Sequence, residues 1–170
     1  MGMRRLQSME ESKRANCSEA GFSLIELLVV VAVILIIAAV AIPNYIQSKM
    51  RANEASAVQN LRNISTAELL YSTTYGINFS VTLTQLSGSG INPDQNAAGT
   101  IDQVLAGGYK SGYNFTYTPV TTDAQGHTLT YTVNADPASP STGQRHFYTD
   151  QTCVIRVNIA VPAGPTDVAL

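Results

Sequence analysis

One acidic residue, Glu26, stands at the start of a long apolar run and is the first candidate for chemistry. From Leu27 to Ile42 every residue is apolar, in the order LLVVVAVILIIAAVAI. Burying a carboxylate at the centre of a bilayer costs about 2.5–3.5 kcal/mol on insertion scales, so an ionisable side chain beside such a run usually has a function. The chemistry available to this carboxylate is ion pairing with a cation in apolar surroundings.

The same carboxylate has a second possible role in the backbone. Ser23 and Glu26 are spaced as a capping box, in which the Ser caps a helix and the Glu reaches back to it. A carboxylate in the first helical turn is also favoured by the helix dipole. The two roles of Glu26 are compatible, so both stay open at this point.

The rest of the chain offers little for catalysis. The two histidines, His127 and His146, have no Cys or carboxylate at metal-ligand spacing, and we expect both to be solvated loop residues. No nucleophile elbow, phosphate-binding loop or dinucleotide fingerprint occurs in the sequence. We therefore expect a protein that is not an enzyme and that carries no metal or other cofactor.

The stretch Gly21-Phe22-Ser23-Leu24-Ile25-Glu26, followed at once by the apolar run, resembles the N-terminal signal of type IV prepilins and type II secretion pseudopilins. In that family a prepilin peptidase cuts between the Gly and the Phe, the new N-terminal Phe is methylated, and the Glu directs filament assembly. The resemblance implies that residues 1–21 are a cleaved leader, that Phe22 is N-methylated, and that Glu26 and Phe22 act in assembly. It also implies copies of the chain itself, the peptidase/methyltransferase, assembly platform proteins and minor pilins as partners.

A rival processing site lies at the other end of the apolar run. Ala39-Val40-Ala41 matches a signal peptidase site, and cleavage there would release a soluble domain that starts at Ile42. The run of apolar residues is longer than the usual 7–15 of a signal peptide, and this reading leaves the Gly-Phe-x-x-x-Glu pattern unexplained. A secreted domain and a membrane-anchored monomeric binding module are the alternatives from another functional class.

Composition and charge limit the partners. A chain of 170 residues accommodates one modest domain and a membrane segment. The net charge of -2, with no basic cluster outside the leader, indicates no nucleic-acid partner. The leader carries four basic residues, which place its side in the cytoplasm under the positive-inside rule. Together with this orientation, the family resemblance implies a bacterial inner-membrane protein with a periplasmic or extracellular head that later enters a pilus or pseudopilus filament.

The two cysteines are predicted not to pair. Cys17 precedes the apolar run and Cys153 follows it, so a membrane would separate them. Many type IVa pilins carry a C-terminal disulfide loop, and this chain departs from that pattern. We expect Cys153 to be a buried small apolar residue.

The first helix is predicted to have a membrane part and an outer part. Residues 22–43 form the transmembrane and assembly helix, because about 20 apolar residues cross the hydrocarbon core of a bilayer. An internal proline removes one backbone hydrogen bond, so we expect a kink at Pro43 rather than the end of the helix.

Residues 44–75 are predicted to continue the helix in amphipathic form, with Gly76 as its C-cap. The apolar residues recur at spacings of three to four with one longer gap, at Ile46, Met50, Ala57, Leu61, Ile64, Ala67 and Tyr71. On the polar faces we expect weak local pairs of Glu54 with Lys49 or Arg51.

Residues 76–170 are predicted to form a β-rich globular head. Short helical turns are expected at 83–86 and 101–105, a hairpin of strands at 113–118 and 129–133 around a turn at 123–126, and a third strand at 153–159. An antiparallel sheet with one apolar face must cover something, and the helix supplies it. The fold class is α+β, with a long N-terminal helix packed on three to four antiparallel strands, the "lollipop" that the family resemblance also implies.

The ending from His146 to Arg156 looks like that of small pilins and type G pseudopilins. Because the latter bind calcium in a C-terminal loop, the segment from Asp136 to Asp150 is a possible calcium site, although it lacks EF-hand spacing. The function predicted first is a structural subunit of a type IV pilus-like filament. The alternative within the class is a pseudopilin of a type II secretion system.

Overall fold

A computed structural model describes residues 21–88 and 92–170 of the chain. Residues 1–20 of the predicted leader, with Cys17, lie outside the described residues. Contacts divide the chain between Ala41 and Ile42 into two compact units, which we describe separately.

One long helix, α1, spans Leu24–Tyr75 and passes through Pro43 without ending. The prediction that the helix continues beyond the proline is therefore confirmed, whereas the kink stays a prediction. The helix ends as expected, because Gly76 takes a positive φ of 65° that side chains with a Cβ rarely adopt, and its N–H bonds the carbonyl of Ser72.

The part of α1 in the first unit carries an exposed apolar surface. From residue 21 to residue 41 no residue is buried. By length and composition α1 could cross a membrane, a test that a signal sequence near the N-terminus also passes. A surface of this kind is rare on a soluble monomer, so lipid or another apolar surface must cover it.

The second unit adds two short helices and one antiparallel sheet to the outer part of α1. Its elements are α2 (Leu83–Leu86), α3 (Gln103–Ala106), β1 (Tyr109–Lys110), β2 (Tyr113–Thr122), β3 (Thr128–Pro137), β4 (His146–Asp150), β5 (Arg156–Asn158) and β6 (Val168–Ala169). The strands lie in the sheet in the order in which they occur in the chain. The α+β class is confirmed. The described residues form six strands rather than three to four, because the two-residue strands β1 and β6 are too short to leave an alternating pattern.

The hairpin of β2 and β3 is confirmed at the predicted place. Successive side chains of β2 are alternately more buried and more exposed, as expected for a strand with one face on a core. The connecting turn is stabilised by the Asp123 carboxylate, whose Oδ1 accepts hydrogen bonds from the backbone N–H groups of Gln125 and His127.

The core lies between α1 and the inner face of the sheet. Five of the seven predicted stripe residues of α1 are buried there, namely Ala57, Leu61, Ile64, Ala67 and Tyr71. Ile46 is exposed and Met50 is half-buried, so the packed part of the helix begins after residue 50. Opposite the stripe lie the most buried aromatic side chains of the sheet, Tyr113, Phe115, Tyr131 and Phe147.

Two predictions about the C-terminal part are wrong. The third strand was expected over 153–159, but β5 contains only Arg156–Asn158. Cys153 is exposed rather than buried. The reason is a tight turn after β4, in which the Asp150 carboxylate accepts hydrogen bonds from Thr152 and Cys153 takes a φ of 60°.

Candidate assembly and processing site

The residues predicted for cleavage and methylation are accessible. Gly21, Phe22 and Ser23 precede the first turn of α1, and all three are exposed. The Phe22 side chain stands 80% exposed. Among the described residues, both sides of the Gly21–Phe22 bond are therefore exposed, and cleavage there stays a prediction.

Ser23 and Glu26 form one half of a capping box, the hydrogen bond from the backbone of Ser23 to the side chain of Glu26. The Ser23 N–H donates to Glu26 Oε2 at 3.3 Å, and the Ser23 carbonyl accepts from the N–H groups of Glu26 and Leu27. Glu26 thus satisfies a donor at the helix start. Because its side chain stays exposed, it also remains open to a second partner.

The apolar surface that follows Glu26 is continuous. Large hydrophobic side chains are exposed along it, among them Leu27, Leu28, Val30, Val33, Ile34, Leu35, Ile37, Val40 and Ile42. Glu26 is the one acidic residue of this stretch, so any apolar environment that covers the stretch also surrounds or borders one carboxylate.

Two further glutamates fix the outer part of α1 to the head. From the sequence we expected Glu54 in a local pair and did not identify Glu68. Glu54 is only 6% exposed and binds the loop before β4. Its Oε1 accepts from the Gln144 N–H at 3.0 Å, and its Oε2 accepts from Arg145 Nε at 2.7 Å. Burial tends to raise the pKa of Glu54, but the backbone N–H of Gln144 and the guanidinium of Arg145 outweigh it, so this pKa lies below its ordinary value. The predicted local pairs of Glu54 with Lys49 or Arg51 are wrong, because the carboxylate points to the head.

Glu68 is fully buried and binds the segment that follows α1. Its Oε1 accepts from the Ser80 hydroxyl at 2.6 Å, and its Oε2 accepts from the Ser80 N–H at 2.9 Å. The Tyr117 hydroxyl donates to the carbonyl of the same serine at 2.7 Å, which ties the segment to β2. Burial raises the pKa of Glu68 more than the Ser80 donors lower it.

Both glutamates sit on the apolar stripe of α1. Glu54 fills the longer gap between Met50 and Ala57, and Glu68 follows Ala67 directly. A carboxylate at a stripe position was the signal that could have identified them. A buried carboxylate is stable only with hydrogen-bond donors, so each glutamate selects one loop of the head.

We expected both histidines to be solvated loop residues, but both are half-buried and each lies against a carboxylate. His146 opens β4, and its Nδ1 lies 2.6 Å from Asp136 Oδ1 on β3. His127 is half-buried in the hairpin loop, with Nδ1 at 2.9 Å from Asp123 Oδ2. Within residues 21–88 and 92–170 no three His, Cys, Asp or Glu side chains are grouped to hold a metal ion. Calcium binding between Asp136 and Asp150 stays a prediction of the sequence.

Comparison with known proteins agrees with this geometry. A family model described as the prokaryotic N-terminal methylation motif matches residues 16–42. The type IV major pilin protein PilA of Myxococcus xanthus (strain DK1622) is 47% identical over 55 residues, which cover 32% of this chain and 25% of that pilin. A fimbrial protein of Pseudomonas aeruginosa is 37% identical over 112 residues, which cover 56% of this chain and 72% of that protein. The N-terminal motif, the helix-on-sheet fold and the extent of this last match show that the chain belongs to the type IV pilin family.

Proposed function

We propose that the chain is a structural, non-enzymatic subunit of a type IV pilus-like filament. A prepilin peptidase removes residues 1–21 by cleavage between Gly21 and Phe22, and the new amino terminus of Phe22 is methylated. The subunit waits in the bacterial inner membrane with its N-terminus on the cytoplasmic side and its head in the periplasm. It then polymerises with copies of itself, with the help of assembly platform proteins and minor pilins.

The exposed apolar surface of α1 is the observation that carries the proposal. From residue 21 to residue 49 no residue is buried, although the stretch is almost entirely apolar up to residue 42. Such a surface is stable in lipid, and it can leave lipid only for an equally apolar place. A bundle of the same helices from many copies is such a place, whereas a monomeric binding module offers none.

Glu26 supplies the specificity that an apolar bundle lacks. The methylated amine of a neighbouring Phe22 is a cation that would enter the bundle without a partner. Removing one partner of a buried ion pair costs about 3–5 kcal/mol, so an incoming amine favours the register in which it meets a carboxylate. The exposed Glu26 side chain of an assembled copy offers that carboxylate.

Two other functions are compatible with family membership or with the sequence. A pseudopilin of a type II secretion system would use the same N-terminal chemistry in a shorter filament. A secreted or membrane-anchored monomeric domain would not polymerise. The proposal assigns no cofactor and no nucleic-acid partner to the chain.

The test is to express the full chain with a type IV assembly system and to examine membranes and sheared surface fractions. Intact-mass measurement should show a subunit that begins at Phe22 and carries one extra methyl group. Electron microscopy of the sheared fraction should show filaments that contain this subunit. A mature chain that begins at Ile42 would overturn the proposal in favour of a secreted domain. A processed subunit that supports secretion but forms no surface filament would assign it to the pseudopilins.

A further inference from the structure

The charged residues in the outer part of α1 are segregated by sign. Between residues 42 and 75 the acidic residues are Glu54 and Glu68, and both are buried against the head. The basic residues of the same stretch, Lys49, Arg51 and Arg62, are all exposed. In the part of the chain that the structure describes, none of these three cations lies in an ion pair. The exposed surface of this part of the helix is therefore cationic.

Lys49 and Arg51 stand just beyond the apolar run. At 1.5 Å per residue, Lys49 lies about 10 Å and Arg51 about 14 Å along the helix axis from Ile42, the last residue of the run. The headgroup layer on each side of the hydrocarbon core of a bilayer is about 5–8 Å deep. Helical side chains tilt toward the N-terminus of their helix, here toward the run, and long basic side chains extend to place their charge among headgroups. Both charges can therefore reach the headgroups of a membrane that covers the run.

Tyr45 lies at the depth of the membrane boundary. It follows Ile42 by three residues, precedes Lys49 by one helical turn on the same face, and is exposed. Tyrosine is enriched where hydrocarbon meets headgroups, because its ring is apolar and its hydroxyl is polar. Apolar residues, then a tyrosine, then cations follow each other along the helix in the same order as hydrocarbon, boundary and phosphate layer follow each other across a bilayer.

The two cations point in different directions around the helix. Residues two apart are separated by about 200° around an α-helix, so Lys49 and Arg51 do not share a face. A protein partner or a free phosphate ion approaches the helix from one side and would meet only one of them. A lipid surface surrounds the helix and meets both. The arrangement therefore favours lipid headgroups over a ligand that binds one face.

We propose that Tyr45, Lys49 and Arg51 form a headgroup collar, in which the two cations bind anionic phospholipids around the helix on the side of the membrane where the head lies. The inference rests on the proposed function, because it concerns the subunit that waits in the membrane. It adds a class of lipid as a partner at a step before any contact between copies. A subunit that leaves the lipid must first release these headgroups, so the collar opposes premature extraction.

Selective quenching by lipids tests the headgroup collar. The full chain carries Ser48→Cys, at an exposed position inside the collar, together with Cys17→Ser and Cys153→Ser, so that a fluorophore labels one thiol only. The labelled chain is reconstituted in phosphatidylcholine vesicles. A small fraction of the lipid is either phosphatidylglycerol or phosphatidylcholine with a nitroxide at the same shallow position of the acyl chain. The ratio of quenching by the two lipids measures the local preference for anionic lipid.

We expect phosphatidylglycerol to quench the label more strongly than phosphatidylcholine does. An anionic surface attracts each nearby Lys or Arg by about fivefold in binding, the equivalent of about 1 kcal/mol. Lys49→Gln and Arg51→Gln should each lower the preference for phosphatidylglycerol by up to this factor. The variant that carries both changes should be quenched alike by the two lipids. High salt should weaken the preference of the parent, because salt screens exposed charges.

The matched control is Arg62→Gln. Arg62 is an exposed cation of the same helix, but it lies about 30 Å beyond Ile42 and so out of reach of the headgroups. This change should leave the lipid preference unaltered, and an equal loss in Arg62→Gln would overturn the inference, because net charge alone would then set the preference. Equal quenching of the parent by both lipids would overturn it too. Mutual quenching of labelled copies in place of a lipid preference would mean that a second copy covers the cations, which also contradicts the collar.

Flotation of the vesicles separates this inference from the proposed function. A chain that floats with vesicles of neither composition is not a membrane subunit, which overturns the proposed function and the headgroup collar together. A chain that floats and forms filaments in cells, but shows no lipid preference, overturns the collar alone. Ser48, Lys49, Arg51 and Arg62 are all exposed, so loss of folding is not expected to obscure the result.

Discussion

Glu54 Oε2 and Arg145 Nε lie 2.7 Å apart although the two residues are separated by 91 positions in the chain. The pair fastens the middle of α1 to the loop that leads into β4. Its environment is unequal, because the Glu54 side chain is 8% exposed and that of Arg145 is 42% exposed. Glu54, whose charge is buried, therefore needs Arg145 as a partner more than the partly exposed Arg145 needs Glu54.

The change Glu54→Gln should destabilise the head by about 1–2 kcal/mol near neutral pH, since a charge-assisted hydrogen bond is replaced by a neutral one. The pKa of Glu54 is lowered in the folded state, so its stabilisation is fully present above the ordinary value of 4.5 and is lost as the pH falls through the lowered pKa. Urea unfolding of the detergent-solubilised chain should show a difference between parent and variant that shrinks in acid. The control Arg51→Gln, at an exposed position, should change little. An equal loss of stability in Arg51→Gln would instead support a local pair of Glu54 with Arg51, which the structure contradicts.

Glu68 should show the opposite dependence on pH. Its pKa is raised by burial, so its favourable contribution is fully present below the ordinary value of 4.5 and is lost as the pH rises through the raised pKa. The variant Glu68→Gln can keep both hydrogen bonds to Ser80, because one amide oxygen accepts and the amide nitrogen donates. We expect the stability of the parent to fall relative to this variant between pH 4 and pH 8. A difference in stability that stays constant over this range would contradict a buried Glu68 carboxylate with a raised pKa.

Removing the Glu68 carboxylate altogether should destabilise the head far more than Glu68→Gln does. Glu68→Ala leaves the N–H of the fully buried Ser80 without its acceptor, which costs about 1–3 kcal/mol, and leaves the Ser80 hydroxyl only its bond to the Thr82 carbonyl at 3.2 Å. It also adds the cavity of the missing side chain. The measurement is the same urea titration. If Glu68→Ala and Glu68→Gln are equally stable at pH 7, the hydrogen bonds to Ser80 contribute nothing.

The variant Glu26→Gln separates the two roles of that side chain. A glutamine can still accept the hydrogen bond from the Ser23 N–H, but it cannot compensate a cationic amine. We expect normal membrane insertion and cleavage after Gly21, with few or no filaments in sheared fractions. Intact mass of the membrane-bound subunit is the control for processing. If Glu26→Gln forms as many filaments as the parent chain, then Glu26 acts only as a helix cap.

A fragment that begins at Tyr45 should fold as a soluble monomer. Of the residues it lacks, those that the structure describes contribute nothing to the core, because none from 21 to 44 is buried. Circular dichroism should show helix and strand with one cooperative melt, and gel filtration should show a monomer. A fragment that begins at Gly76 lacks the α1 stripe and both buried glutamates, so it should be unfolded. Cooperative melting of this shorter fragment would show that α1 is dispensable for the head.

The sequence predicted those parts of the fold that depend on local patterns. The long helix, its end at Gly76 and the β2–β3 hairpin follow from spacing and turn residues within a few positions of each other. The strands β1 and β6 could not be predicted, because two residues show no alternation and pair only through the register of their neighbours.

The anchors of α1 were missed for a different reason. The partner of Glu54 lies 91 residues away and that of Glu68 lies 12 residues away, in loops whose positions depend on the whole sheet. Local spacing favours pairs of Glu54 with Lys49 or Arg51, and neither carboxylate on the apolar stripe has its real partner within a few positions in the chain. Cys153 was misplaced because the alternation of β5 was extended back through a turn that a positive φ creates.

The order of strands in the sheet has a consequence for biogenesis. Since β1 to β6 occur in the sheet as they occur in the chain, each strand finds its neighbour already present when the chain emerges from N-terminus to C-terminus. No strand must wait for a later one to be inserted between it and its partner, so the contacts between neighbouring strands form at short sequence separation and rapidly. A head built in this way can form strand by strand while the chain is still emerging.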